Sequence, residues 1–186
     1  MNMTEWVPTL AVPVSPKQDH IRGPQNAPVT LLEYGDYECP YCNAAHEIVD
    51  EVQRRMSDEL RFVFRHFPLT TIHPMAEPAA LAAEAAGALG KFWEMHDTLY
   101  DNQDQLAPRS LLAFAAAIGL DLERFTAELQ RGVHLTKVRD DLIGGVRSGV
   151  RGTPTFFING RRHDGSWDLA NLLGTLQAAA AGRHAA

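Results

Sequence analysis

The chain has 186 residues, 45% of them hydrophobic and 22% charged, enough to bury a core as one domain or one domain with a large insertion. Its net charge of −6 gives no electrostatic footprint for nucleic acid or an anionic membrane, so neither is expected as a partner. Two cysteines are too few for a disulfide scaffold or a four-cysteine zinc ribbon.

Residues 1–27 are rich in proline and polar side chains and read as an N-terminal arm, with a short edge strand expected near residues 10–14. Glu5 is the one charge before Lys17, and Pro8 and Pro13 interrupt the apolar stretch, so the segment does not read as a secretory leader and a cytoplasmic protein is expected. Residues 29–34 form a short apolar run ending at Gly35-Asp36, the pattern of a buried strand. A helix is predicted from the cysteine pair onward. Pro40 suits its first position, where a missing N–H costs nothing, and Ala45, Ile48, Val49, Val52 and Met56 repeat at helical spacing. Residues 60–67 read as a second strand, ended by Pro68.

From residue 72 to 149 the period is helical, which predicts an all-helical insertion. Residues 74–89 are alanine-rich, and Phe92, Met95, His96 and Leu99 share a face, with Trp93 and Tyr100 beside them as core. Residues 110–118 form a helix closed by Gly119. Asp121 caps the next, whose buried face is expected to be Leu122, Phe125 and Leu129. Leu135, Val138, Leu142 and Val146 give a last stripe. Residues 155–158 are a strand, Asn159-Gly160 a type I′ turn, and residues 161–163 the return strand. Asp168 caps a final helix through about residue 180, with a frayed tail from Gly182. Strand, helix, strand, helical block, hairpin, helix is an α/β order: a mixed central sheet with helices on both faces.

The chemistry concentrates at Cys39-Pro40-Tyr41-Cys42. A bridge across so short a loop staples almost nothing, so these thiols matter for reactivity. Just after a buried strand, at a helix N-terminus, unpaired backbone N–H groups and the helix dipole stabilise a thiolate. Cys39, expected to be exposed at the cap, should have a depressed pKa, in the range of roughly 3.5–7.5 found at such sites. Cys42, one turn in, should be more buried and attack the mixed disulfide that Cys39 forms. The rival reading is a metal or cluster site in which Cys39, Cys42 and His46 supply three ligands and His66 or a bridging partner the fourth. His66, His73, His96 and His134 otherwise read as surface or packing histidines, and Asp36 and Glu38 as solvated turn residues.

The run Ala27-Pro-Val-Thr-Leu-Leu-Glu-Tyr-Gly-Asp-Tyr-Glu-Cys-Pro-Tyr-Cys42 resembles the active-site segment of DsbA-like thiol–disulfide oxidoreductases, and Gly152-Thr-Pro-Thr-Phe-Phe-Ile-Asn-Gly160 resembles their second signature. The helical block between them is similar to the insertion that separates that family from plain thioredoxins. The resemblance spans residues 19–178. It implies a discontinuous thioredoxin-like domain, residues 28–71 and 150–181, interrupted by the insertion at 72–149. It implies that Thr153-Pro154 is a cis-proline loop whose Thr153 backbone pairs with an extended substrate. It implies that Glu33 lies beneath Cys42 with a raised pKa and helps move its proton. Pro40 and Tyr41 become the dipeptide that tunes the redox couple. Tyrosine supports a thiolate less than the histidine of oxidising DsbA proteins, so direction stays open. The activity implied is dithiol–disulfide exchange with protein thiols or disulfides, with glutathione or a thioredoxin-type protein as electron partner and no cofactor. A glutathione-linked transferase or isomerase on a related fold is the other rival; it has little use for a second cysteine.

Overall fold

The structure is a computed structural model and describes residues 8–184. Its strands are β1 (His20–Arg22), β2 (Val29–Gly35), β3 (Leu60–His66), β4 (Thr155–Ile158) and β5 (Arg161–Arg162), in the sheet order β1-β3-β2-β4-β5. β2 and β3 are parallel, in register from Val29 opposite Leu60 to Gly35 opposite His66, and helix α1 (Pro40–Met56) makes the crossover. β4 is antiparallel to β2, and Asn159 and Gly160 at its tip both have positive φ, 49° and 82°, as a type I′ turn requires.

All seven residues of β2 are buried because it is central and covered on both faces. Alternation sorts them. Val29 and Leu31 face α1, the insertion and α7 (Leu169–His184), while Leu32 and Tyr34 join Val63, Phe67, Val150 and Phe157 on the other side. The insertion comprises α2 (Ala76–Ala88), α3 (Phe92–Asp101), α4 (Pro108–Ala117), α5 (Leu122–Arg131) and α6 (Leu135–Arg147). Seven buried alanines on α2 leave no bulk to hold its neighbours away, so it packs among the other four helices.

Several expectations need correction. The arm does not form a strand over residues 10–14. Instead residues 8–10 meet the hairpin edge, with Leu10 N–H donating to Gly160 O at 2.9 Å and Arg162 N–H to Pro8 O at 2.9 Å. Pro13 has no N–H with which to continue that pairing. A strand the pattern did not reveal, β1, lies further along, antiparallel to β3. The α6 stripe is also displaced: Val146 is 60% exposed, whereas Val138, Asp141, Gly144 and Gly145 are buried. Close approach sets this rotation. A Cβ on Gly145 would meet the Phe67 ring at 2.7 Å, and Asp141 accepts the His66 backbone N–H at 3.2 Å. On α5, Phe125 is fully buried but Leu122 is 43% exposed. The final helix continues to His184.

Candidate active site

Cys39 is the N-cap of α1, and Pro40 is its first residue. Both cysteines are free thiols. Cys39 is not exposed as expected: it is 3% accessible, because the loop carrying Thr153 and Pro154 covers it. Its Sγ lies 3.4 Å from Thr153 O, and the Thr153–Pro154 peptide bond is cis. Thr153 Oγ1 is buried without a hydrogen-bond partner among the described residues, which leaves it available to the sulfur. The Cys39 pKa is lowered to about 5. The Cys42 thiol contributes most; burial opposes it, and Thr153 and the backbone N–H groups of Cys42 and Tyr41 assist.

Cys42 is fully buried, and its pKa is pushed well above the ordinary thiol value, first by burial and then by Cys39 and Glu33. Asp36 N–H points at its sulfur from 3.5 Å. Glu33, 2% accessible on β2, has its pKa raised to about 8 by burial and by the charge of Cys39, and its Oε1 has no hydrogen-bond partner among the described residues. The two sulfurs are therefore driven apart: one ionises below neutrality and the other stays protonated. Tyr41, by contrast, is 67% exposed beside the pair.

Asp36 is not a solvated turn residue. It is 2% accessible, and its carboxylate accepts from Leu69 N–H (2.8 Å), His73 Nδ1 (2.9 Å) and Glu38 N–H (2.8 Å), tying the turn before Cys39 to the chain that leaves β3. Glu38 in turn accepts from Met75 N–H at 2.5 Å. Gln103 is a further contact of the turn, from the insertion. Its Nε2 donates to Tyr37 O and Cys39 O, at 2.8 and 2.9 Å, so the insertion clamps the cysteine turn from outside. A glutamine within a polar run carries no signal that could have revealed it.

The metal reading of the cysteines is not supported by geometry. Among the described residues, the three-donor group within ligand reach is His46, His96 and Asp97, with neither cysteine in it. His66 is held elsewhere: its Nε2 and that of His20 flank Glu84 Oε1 at 2.8 and 2.9 Å. Burial works against ionisation of Glu84, but these two bonds outweigh it and hold the carboxyl well below the usual range.

Comparison with known proteins decides the family. The thioredoxin family model matches residues 15–178. The chain belongs to that family. A Salinispora arenicola protein named Na(+)/H(+) antiporter NhaA 1 is 47% identical over 182 residues, which cover 98% of this chain but 28% of that protein. The Herminiimonas arsenicoxydans Na(+)/H(+) antiporter NhaA is 43% identical over 173 residues, 93% of this chain and 27% of its own. The chain thus spans less than a third of these relatives. Among solved structures, Bacillus subtilis BdbD in its oxidised form shares the fold with a TM-score of 0.81 at 22% identity, covering 94% of this chain and 96% of its own. A thioredoxin-like oxidoreductase from Silicibacter pomeroyi gives a TM-score of 0.78 at 25% identity over 91% and 94% of the two chains. The fold is the thioredoxin-like, DsbA-type arrangement with its helical insertion.

Proposed function

We propose that the chain is a thiol–disulfide oxidoreductase acting on protein substrates through Cys39 and Cys42. One observation carries the reading. Two free thiols one helical turn apart have opposite pKa shifts, Cys39 to about 5 and Cys42 upward. Against a metal site stands the geometry: among the described residues, the three-donor group within ligand reach contains neither sulfur.

The Cys39 thiolate attacks one sulfur of a substrate disulfide, forming a mixed disulfide and releasing the other sulfur as a thiolate that takes a proton from solvent. Cys42 gives up its proton and attacks Cys39 Sγ. The Cys39–Cys42 bond forms, the mixed disulfide breaks, and the dithiol substrate leaves two electrons richer than it arrived. Run backward, the same steps oxidise a substrate dithiol. Glu33, titrating at about 8, is close enough to neutrality to take the Cys42 proton in its ionised fraction and return it in its protonated one. Pro154 has no N–H to set against the sulfur, and the Thr153 backbone, beside Cys39, would pair with an extended substrate segment. No described helix is long and apolar enough to cross a membrane.

The test is catalysed reduction of a disulfide-containing protein under a thiol reductant. Wild type should accelerate it. Cys39→Ser should abolish the effect, and Cys42→Ser should accumulate a mixed disulfide with the substrate. Full turnover by Cys42→Ala would overturn the dithiol mechanism and favour the glutathione-linked reading.

A further inference from the structure

Helix α1 and helix α3 bring a second set of chemistry-bearing side chains together behind the cysteines. His46 lies one turn beyond Cys42, on the same helix as Asp50, while His96 and Asp97 are adjacent on α3. One donor atom from each of His46, His96 and Asp97 lies within 4.8 Å of the others. His46 Nε2 is 3.8 Å from Asp50 Oδ2 and 4.0 Å from Asp97 Oδ1. Four donors around a tetrahedral zinc ion sit about 3.3 Å apart, as bonds of roughly 2.0–2.1 Å require. Three donors are thus gathered near that spacing, and Asp50, 3.8 Å from His46, would have to swing inward as the fourth.

We propose that His46, His96 and Asp97, with Asp50 at the rim, bind a divalent cation of the zinc class at a site separate from the dithiol. Three features favour a cation there over a simple surface ion pair. First, the His96 ring is already oriented: Tyr37 Oη lies 3.0 Å from Nδ1, which leaves Nε2 as the ligating nitrogen, the outer-shell arrangement that metal-bound histidines need. Second, Arg22 reaches both oxygens of Asp97, at 2.9 and 2.7 Å, lies 3.6 Å from Asp50 Oδ1 through its Nη1, and stacks on the Trp93 ring at 4.5 Å. It fixes the carboxylate while each oxygen keeps a lone pair. Two carboxylates against one guanidinium leave a single net negative charge for the incoming cation. Third, the imidazoles are buried but the entrance is open, since the side chains of Asp50 and Asp97 are 41% and 39% exposed. Two imidazole nitrogens with carboxylate oxygens, and no thiolate, are a donor set for zinc and for its spectroscopic substitute cobalt. Bound there, the ion would tie α1 to α3 directly behind the active-site turn.

The experiment uses the full chain with the Cys39–Cys42 disulfide formed, or Cys39→Ser/Cys42→Ser, so that neither thiol is available to metal. Zinc chloride is titrated calorimetrically, and cobalt(II) is followed by its visible absorption. One zinc per chain is expected, with cobalt bands of a four-coordinate site and no sulfur-to-metal charge transfer. Zinc should also raise the melting temperature in a concentration-dependent way. His46→Gln and Asp97→Asn, folded by circular dichroism, should each weaken binding by at least about tenfold. Asp97 is half-exposed, so Asp97→Asn keeps the test decisive even if His46→Gln fails to fold. Absence of saturable binding up to about 1 mM, the limit of weak affinity, would overturn the site. So would wild-type binding by the folded Asp97→Asn variant.

Discussion

Strand β2 is buried at every one of its seven residues, whereas α5, ten residues long, has Phe125 as its one fully covered side chain among those described. The first is pinned between two strands and two layers of helix. The second lies on the outside of the insertion. Cys39, Cys42 and Glu33 fall on the first side of this division, all on or beside β2. What the insertion contributes to the site comes from its inner rim, through His73, the Met75 backbone and Gln103. The rim holds the cysteine turn in place.

The sharpest way to break this contrast is at the nucleophile. Cys39→Ser should lower the exchange rate by about 10³-fold or more, about 4 kcal/mol of barrier, in a disulfide-reduction assay, with the melting temperature little changed. Next comes burial. Phe157→Ala, in the sheet core, should destabilise by about 3–5 kcal/mol in urea titration, while Leu122→Ala on α5 should stay within about 0.5–1 kcal/mol. Comparable losses from both would erase the distinction.

Glu33 supplies a pH signature. Its folded pKa, raised to about 8, lies above its unfolded value, so its contribution to stability is complete at low pH and is lost as pH rises. Between about pH 4.5 and 8, wild-type stability should fall by up to about 1.4 kcal/mol per pH unit from this group. Glu33→Gln should flatten that slope and be the more stable protein at pH 8, while closing the Cys39–Cys42 bond more slowly. The smallest effect belongs to Gln103→Ala. It removes two hydrogen bonds worth about 0.5–1.5 kcal/mol each and should slow exchange several-fold without changing which sulfur is attacked.

The parts legible in the sequence were those that local rules decide. Apolar runs flanked by turn residues located β2, β3 and β4, Pro40 marked the start of α1, and Asn159-Gly160 marked the hairpin. The cysteine pair was legible because two thiols at that spacing, after a strand, have few other uses. What stayed hidden depends on distant packing. His20, Ile21 and Arg22 look like loop residues until Arg22 reaches Asp97 and His20 reaches Glu84. The turn of α6 toward Gly144 and Gly145 is set by Phe67, nearly eighty positions away. Asp36 looks solvated until His73 and Leu69 fold back onto it. Burial of Cys39 comes from Thr153, more than a hundred residues along the chain.

The measurement that tests the central claim most directly is redox equilibration in graded glutathione buffers, with free thiols trapped and the Cys39–Cys42 state read by mass. A thiolate held at about 5 stabilises the dithiol form, so we expect a reversible disulfide with a potential less negative than thioredoxin's, which is about −270 mV. A chain that forms no Cys39–Cys42 disulfide at any poise would contradict the account.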